Sequence, residues 1–176
     1  MVDHEMQNNV ATKGLRAIDL SSLLQTQVNT LCSLQVSKSQ EDFGGTFAET
    51  VEEWRANAGQ SVLGLCFTTY NGAPVGVVLL RRPPASPDWT PPSAVSLHGL
   101  KIERTFQGQG FGRKALELAI DEARMTWPDA TTLILAVDAG NSAALSLYRR
   151  FGMTDSGPIY HGRIGLEHRL ELSLTR

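Results

Sequence analysis

The chain has 176 residues, 41% of them hydrophobic and 19% charged, with a formal net charge of -2. That is enough for one domain with a sizeable core, and it lacks the basic excess that nucleic-acid binding asks for. No apolar run approaches the roughly 20 residues that cross a bilayer, so neither nucleic acid nor a membrane is an expected partner.

Residues 1 to 12 are polar and aperiodic and read as a loosely ordered tail ahead of a single domain, 13 to 176. Gly14 to Leu20 alternates like a short strand, and Ser21 or Ser22 is placed to cap a helix through Leu23, Leu24, Val28 and Leu31. After a glycine loop, a shorter helix is expected over Phe47 to Ala56, with Val51 and Trp54 inward and Glu49, Glu52 and Glu53 outward. Val62 to Tyr70 and Val75 to Arg81 are β-rich runs joined through Asn71-Gly72, which predicts an antiparallel hairpin.

Pro83 to Pro92 holds five of the eight prolines and must be a surface loop, either a tolerated insertion or a wall of a pocket. Ala94 to Glu103 is the next strand. A helix then buries Leu116, Ala119, Ile120, Ala123 and Trp127 at helical spacing until Pro128 stops it. Thr131 to Val137 has the composition of a buried strand, and Asn141 opens a helix through Ala144, Leu145 and Tyr148 that ends at Gly152. Two strands, Met153 to Tyr160 and Arg163 to Leu174, close the chain. The fold class is α/β (α+β), a mixed and mostly antiparallel sheet of about seven strands with about four flanking helices. Cys32 and Cys66 have no repeated spacing and follow no apolar signal segment, so they read as free thiols in the cytoplasm.

The stretch Gln107-Gly108-Gln109-Gly110-Phe111-Gly112 lies between a strand and a helix. Its glycines let backbone approach a bulky anion, and the first turn of the helix adds unpaired N–H groups and a positive dipole end. A P-loop would end in Gly-Lys-Ser or Gly-Lys-Thr, where this chain has Gly112-Arg113-Lys114. A dinucleotide fold wants a G-x-G-x-x-G frame directly after the strand; here Glu103 to Phe106 intervene and the frame is G-x-G-x-G, with Asp138 keeping that alternative open.

A third design fits residue by residue. Gln107, Gly110 and Gly112 match the acyl-CoA signature of the GNAT acetyltransferase superfamily, Gln or Arg, two residues, Gly, one residue, Gly or Ala. About thirty residues on, Asn141 to Met153 resembles the superfamily's second signature, with Asn141, small residues, Leu147-Tyr148 and a closing Gly152-Met153. The resemblance implies that the diphosphate of acetyl-CoA rests on backbone amides of residues 107 to 112: Gln107, Gly108, Gln109, Gly110, Phe111 and Gly112, with Arg113. It also implies that the strand through Leu100 and Ile102 splays from strand 131 to 137. The pantetheine arm then lies in the gap, backbone N–H near Ile102 polarises the thioester carbonyl, and Asn141 and Tyr148 border the cofactor.

It further implies N-acetyl transfer to a primary amine by direct attack, with Tyr148 as general acid to the departing thiolate. No metal site is expected. For the general base, some relatives carry a Glu at the position of Ala136, so Glu103 and His98 are the candidates, each with a plain alternative as a strand-end charge or a sheet-face residue; His161 and His168 are further ones. The stretch Phe106 to Leu116 and the tail from Gly152 look like the branch acting on small amines such as polyamines. Glu41, Asp42, Glu49, Glu52 and Glu53 lie where relatives build the acceptor side, but Gly165 falls where polyamine-acetylating relatives carry an acidic residue, and peptide N-termini, aminoglycosides and amino acids stay open. The superfamily often forms homodimers. The reading from another class is a catalytically silent acyl-CoA-binding module.

Overall fold

The computed structural model describes residues 14–175; the expected tail over 1 to 12 lies outside them. A seven-stranded sheet runs in the order β1-β2-β3-β4-β5-β7-β6. Its strands are β1 (Arg16–Asp19), β2 (Val62–Thr68), β3 (Pro74–Arg81), β4 (Ala94–Ile102), β5 (Thr132–Asp138), β6 (Thr154–His161) and β7 (Leu166–Ser173). Among the described residues only β4 and β5 pair in parallel. The described helices are α1 (Gln25–Ser33), α2 (Lys38–Gly44), α3 (Phe47–Asn57), α4 (Phe111–Thr126) and α5 (Ser142–Phe151).

Both faces of the sheet are covered, which is why β2 and most of β3 are continuously buried rather than alternating. One face sets Leu65, Phe67, Val78 and Leu80 against Leu116, Ala119 and Ile120 of α4. The other sets Cys66, Val77 and Leu79 against Leu31 of α1 and Phe47 and Val51 of α3. Deep burial pushes the Cys66 thiol up to about 12, so it stays a packed, protonated core group.

Two expectations are corrected. Neither Ser21 nor Ser22 caps α1: the Asp19 carboxylate accepts from the Ser21 N–H at 2.8 Å and nucleates a 3₁₀ turn over Leu20–Ser22 instead. The chain turns with Leu24 exposed, and α1 begins at Gln25. The stretch before Phe47 is not only loop. It holds α2, started by a capping box in which Ser37 and Gln40 exchange side-chain and backbone bonds.

The geometry of the sheet's middle decides the rest. Val77 pairs with Lys101 but Leu79 with His98, so β4 carries an extra residue there, and Gly99 adopts φ +60° in this bulge. The parallel ladder from β4 to β5 covers only Ala94, Val95 and Ser96 opposite Thr132, Leu133 and Ile134. Past Ser96 the strands part, β5 being held on its other edge by β7 along its whole length.

The far end of α5 is fixed by a charge cluster. Asp155 of β6 accepts from Arg149 Nε at 2.8 Å and from His168 Nδ1 of β7 at 2.8 Å. Burial alone would raise the Asp155 carboxyl, but bonds from the Gly157 N–H, His168 and Arg149 outweigh it and hold it at about 2. That lies below the roughly 3.9 of an unfolded aspartate, so its stabilisation is full above pH 4 and is lost as pH falls toward 2. Asp155→Asn is therefore expected to lower the denaturant midpoint at pH 7, with the gap to the native chain closing between pH 4 and 2.

Candidate active site

Beyond the point where β4 leaves β5, a cavity of about 640 Å³ opens between Leu100–Ile102 at the end of β4, the loop that follows it, and α5. The N-terminus of α4 faces it with Gly110 at its cap position in the left-handed region, φ +86°, and among the described residues no side chain caps the first turn. The first-turn N–H groups are thus left for an anion. Gly108 has φ +73°, and a Cβ on Gly112 would stand 3.5 Å from the Leu147 side chain of α5, so the loop also packs closely against that helix. Of the residues predicted here, Leu100, Ile102, Gln107, Gly108, Gly110, Gly112, Arg113, Asn141 and Tyr148 line the cavity.

Phe111 and Gln109, expected in the cradle through their backbone amides, turn their side chains elsewhere. Phe111 is 2% exposed and packs edge-on against Phe106, so it anchors the helix to the core. Gln109 turns back to donate to the Thr105 carbonyl at 2.9 Å. Only their backbone lies in the cradle. Gln107 is held too: its amide donates to the Ile102 carbonyl at 2.8 Å and exchanges bonds of 3.1 and 3.2 Å with the Gln40 amide of α2. It locks the loop to the end of β4 and to α2. Asn141 caps α5 by accepting from the Ala144 N–H at 3.2 Å. Arg150 also lines the cavity and adds a cation on α5 that the sequence reading missed.

A second cavity, of about 1040 Å³, lies on the side of α2 and α3. Tyr148 and Gly44 are the residues that border both. Tyr148 is 6% exposed, burial pushes its phenol well up, and its hydroxyl has no hydrogen-bond partner among the described residues. A protonated, unengaged donor therefore stands at the junction.

The walls of the second cavity carry Glu41, Asp42, Glu49, Glu53 and Glu167 against Arg163. Glu49 is engaged in capping Thr46, Glu53 pairs with Arg81 at 2.6 Å, and Glu167 has no ion-pair partner among the described residues. Glu52, expected among them, turns instead to Arg55. The proline-rich loop supplies Pro87 and Trp89, so it is a pocket wall rather than a bare insertion. Arg169 of β7 fixes it, its guanidinium 4.4 Å from the Trp89 ring and 3.5 Å from that of Tyr160.

The two proposed bases part company. Glu103 borders neither cavity, because its carboxylate accepts from the N–H and hydroxyl of Thr105 and caps the 3₁₀ turn over Arg104–Phe106. His98 does face the second cavity, bonded to Ser96 Oγ at 2.8 Å, but burial and the nearby Arg81 lower it to about 4. His161 borders neither cavity, and His168 belongs to the Asp155 cluster. Among the described residues no cluster of His, Cys, Asp and Glu is built to hold a metal ion, and no helix is long and apolar enough to cross a membrane.

A sequence model of the acetyltransferase (GNAT) family matches residues 28–153. The chain belongs to the GNAT family. Acetyl-CoA is the cosubstrate of that family, and the uncapped helix end, the left-handed glycines and the flanking Arg113 and Arg150 suit its phosphates. N-alpha-acetyltransferase RimI of Mycobacterium tuberculosis is 34% identical over 80 residues, 46% of this chain and 42% of that protein. The match thus spans less than half of that curated relative.

Spermidine N-acetyltransferase from Vibrio cholerae, solved with CoA and spermine, superposes with a TM-score of 0.69 at 17% identity, over 92% of this chain and 96% of that one. The aminoglycoside acetyltransferase AAC(6')-Ib, solved with acetyl-CoA, gives a TM-score of 0.71 at 18% identity, over 91% and 93%. At such identities the likeness shows the GNAT fold.

Gly110→Val puts a β-branched residue at φ +86°, with a strain of roughly 1–2 kcal/mol or more aimed at the cradle. Calorimetry is expected to show acetyl-CoA binding weakened about tenfold or more, with a cooperative fold retained.

Proposed function

We propose that the chain is an acetyl-CoA-dependent N-acetyltransferase that acts on a primary amine by direct attack on the thioester, with Tyr148 as general acid. The observation that carries this is the position of Tyr148 at the meeting point of a cofactor-shaped cleft and an acidic acceptor cavity. Acetyl-CoA supplies an acyl carbon activated as a thioester. The residues of the chain do the rest. Amides of residues 107 to 112 and the α4 N-terminus hold phosphate, and the free edge of β4 past Ser96 offers backbone partners to an extended arm and an N–H to the thioester oxygen. The Tyr148 hydroxyl keeps its proton at neutral pH and gives it to the thiolate, whose ordinary pKa is near 8.5.

The acceptor is a cationic amine. Of the five carboxylates on its walls, Glu41 and Asp42 share Lys38 and Glu53 is paired to Arg81, while Glu167 has no ion-pair partner among the described residues and is left to attract an ammonium group. Trp89, Ile164 and Leu97 add apolar surface for a carbon chain between charges. The relatives acting on spermidine and on aminoglycosides, both polycations, fit this chemistry. A silent acyl-CoA-binding module would need no such second cavity meeting a buried tyrosine.

The test is release of CoA from acetyl-CoA over a panel of amines. Tyr148→Phe is expected to lower kcat by about 100-fold while acetyl-CoA affinity holds. CoA binding with no amine raising turnover is the result that sinks the enzyme reading. Glu167→Gln removes a carboxylate without an ion-pair partner. It is expected to raise the KM of polycationic amines about tenfold and to leave that of a monoamine nearly unchanged, as read from initial rates.

A further inference from the structure

An amine that arrives as an ammonium must lose a proton before it can attack, and neither of the two bases expected from the sequence, His98 and Glu103, is suited to take it. His98, at about 4, lies roughly six pKa units below an alkylammonium. Glu103 is outside both cavities. The β4 bulge brings another group to the same place. Lys101 lines the cofactor cleft, yet its side chain runs back under the bulge. A Cβ on Gly99 would stand 3.5 Å from Lys101 Nζ and 3.4 Å from Thr50 Oγ1. Gly99 and Thr50 both line the acceptor cavity. The lysine nitrogen thus lies at the seam between the two.

Its surroundings are those of a base and not of a surface cation. Lys101 is 7% exposed, with Phe47 packed near its head, and among the described residues its one side-chain hydrogen bond goes to Thr50 Oγ1. The Thr50 hydroxyl proton is committed to the Thr46 carbonyl at 3.2 Å, so this oxygen accepts from Lys101. A neutral Lys101 therefore donates one N–H to Thr50 and keeps its lone pair for an incoming proton. The carboxylates acting on it are Glu53 and Glu49 of α3; Arg81 of β3 is paired to Glu53, and His98 of β4, lowered to about 4, is neutral. Desolvation outweighs the two carboxylates and lowers the ammonium to about 8.

We propose that Lys101 is the general base of this site, taking the proton from the acceptor ammonium at the seam of the two cavities. The proposal rests on the acetyl-transfer reading above. An acceptor N–H bond breaks and a Lys101 Nζ–H bond forms. The freed electron pair makes the new C–N bond to the acyl carbon, and the C–S bond breaks as Tyr148 protonates the sulfur. The amide nitrogen's surplus proton returns to the tyrosinate, and Lys101 releases its own to solvent.

The test measures kcat/KM from pH 6 to 10 for the native chain, Lys101→Met and Lys101→Arg, with spermidine, tobramycin and a peptide with an N-terminal alanine as probe amines. The native rate should rise through a limb near pH 8. Both variants should lose about 100-fold at pH 7.5; with spermidine, whose primary alkylamines titrate at about 10, the limb near pH 8 should go as well, leaving only a rise set by the amine's own pKa. Lys101→Met should melt no lower than the native chain, since an apolar side chain of similar length replaces a buried amine, and acetyl-CoA affinity should hold in both. Native turnover with the limb near pH 8 intact in the variants overturns the role of Lys101 alone. CoA release with none of the three amines overturns the acetyl-transfer reading and this role together.

Discussion

Beyond Ser96 the backbone of β4 gives up its hydrogen bonds to β5, and the architecture of the site depends on that forfeited ladder. An unpaired strand edge inside a protein is costly unless something satisfies it. Here the bulge at Gly99 turns β4 away, α4 enters from the loop that follows it, and α5 enters from the end of β5. The result is a cleft with free backbone on one wall and two helices on the other. An extended ligand with carbonyl and amide groups along its length restores what the sheet has lost.

The second half of the molecule supplies the chemistry and the first half supplies the enclosure. α2 is exposed and buries none of its residues, yet it borders both cavities. Gln40 ties it to the phosphate loop through Gln107, while Glu41, Asp42 and Phe43 face the acceptor side. The cradle and the acceptor wall are thus mechanically joined across a sequence separation of 67 residues. The same bulge that opens the cleft also folds Lys101 under Gly99, so one irregularity in one strand serves donor and acceptor alike.

Much of this was legible in the sequence because it is local. The glycine frame after β4, the apolar stripe of α4, the Asn71-Gly72 turn and the run from Asn141 to Gly152 each state their structure within a few residues. What escaped depends on distant partners or on weak burial. The Ser37 to Gln40 capping box was readable, but α2 has no apolar face to draw attention to it. Lys101 reads as an ordinary strand lysine until Phe47 and Thr50 close over it. Glu167 looks like an outward residue of a terminal strand, and Trp89 gains its place only through Arg169, eighty positions later. Glu103 shows the converse: the right segment was found, but local capping turned its side chain away from the site.

The central claim is that the parted strands and the α4 N-terminus form one acyl-CoA site. Hydrogen–deuterium exchange with and without CoA tests it most directly, since it reads backbone amides and needs no acceptor. The account predicts slowed exchange in residues 100 to 102, 107 to 113 and the start of α5, with β1, β2 and β6 unchanged. Protection confined to other segments, or none at saturating CoA, would contradict it.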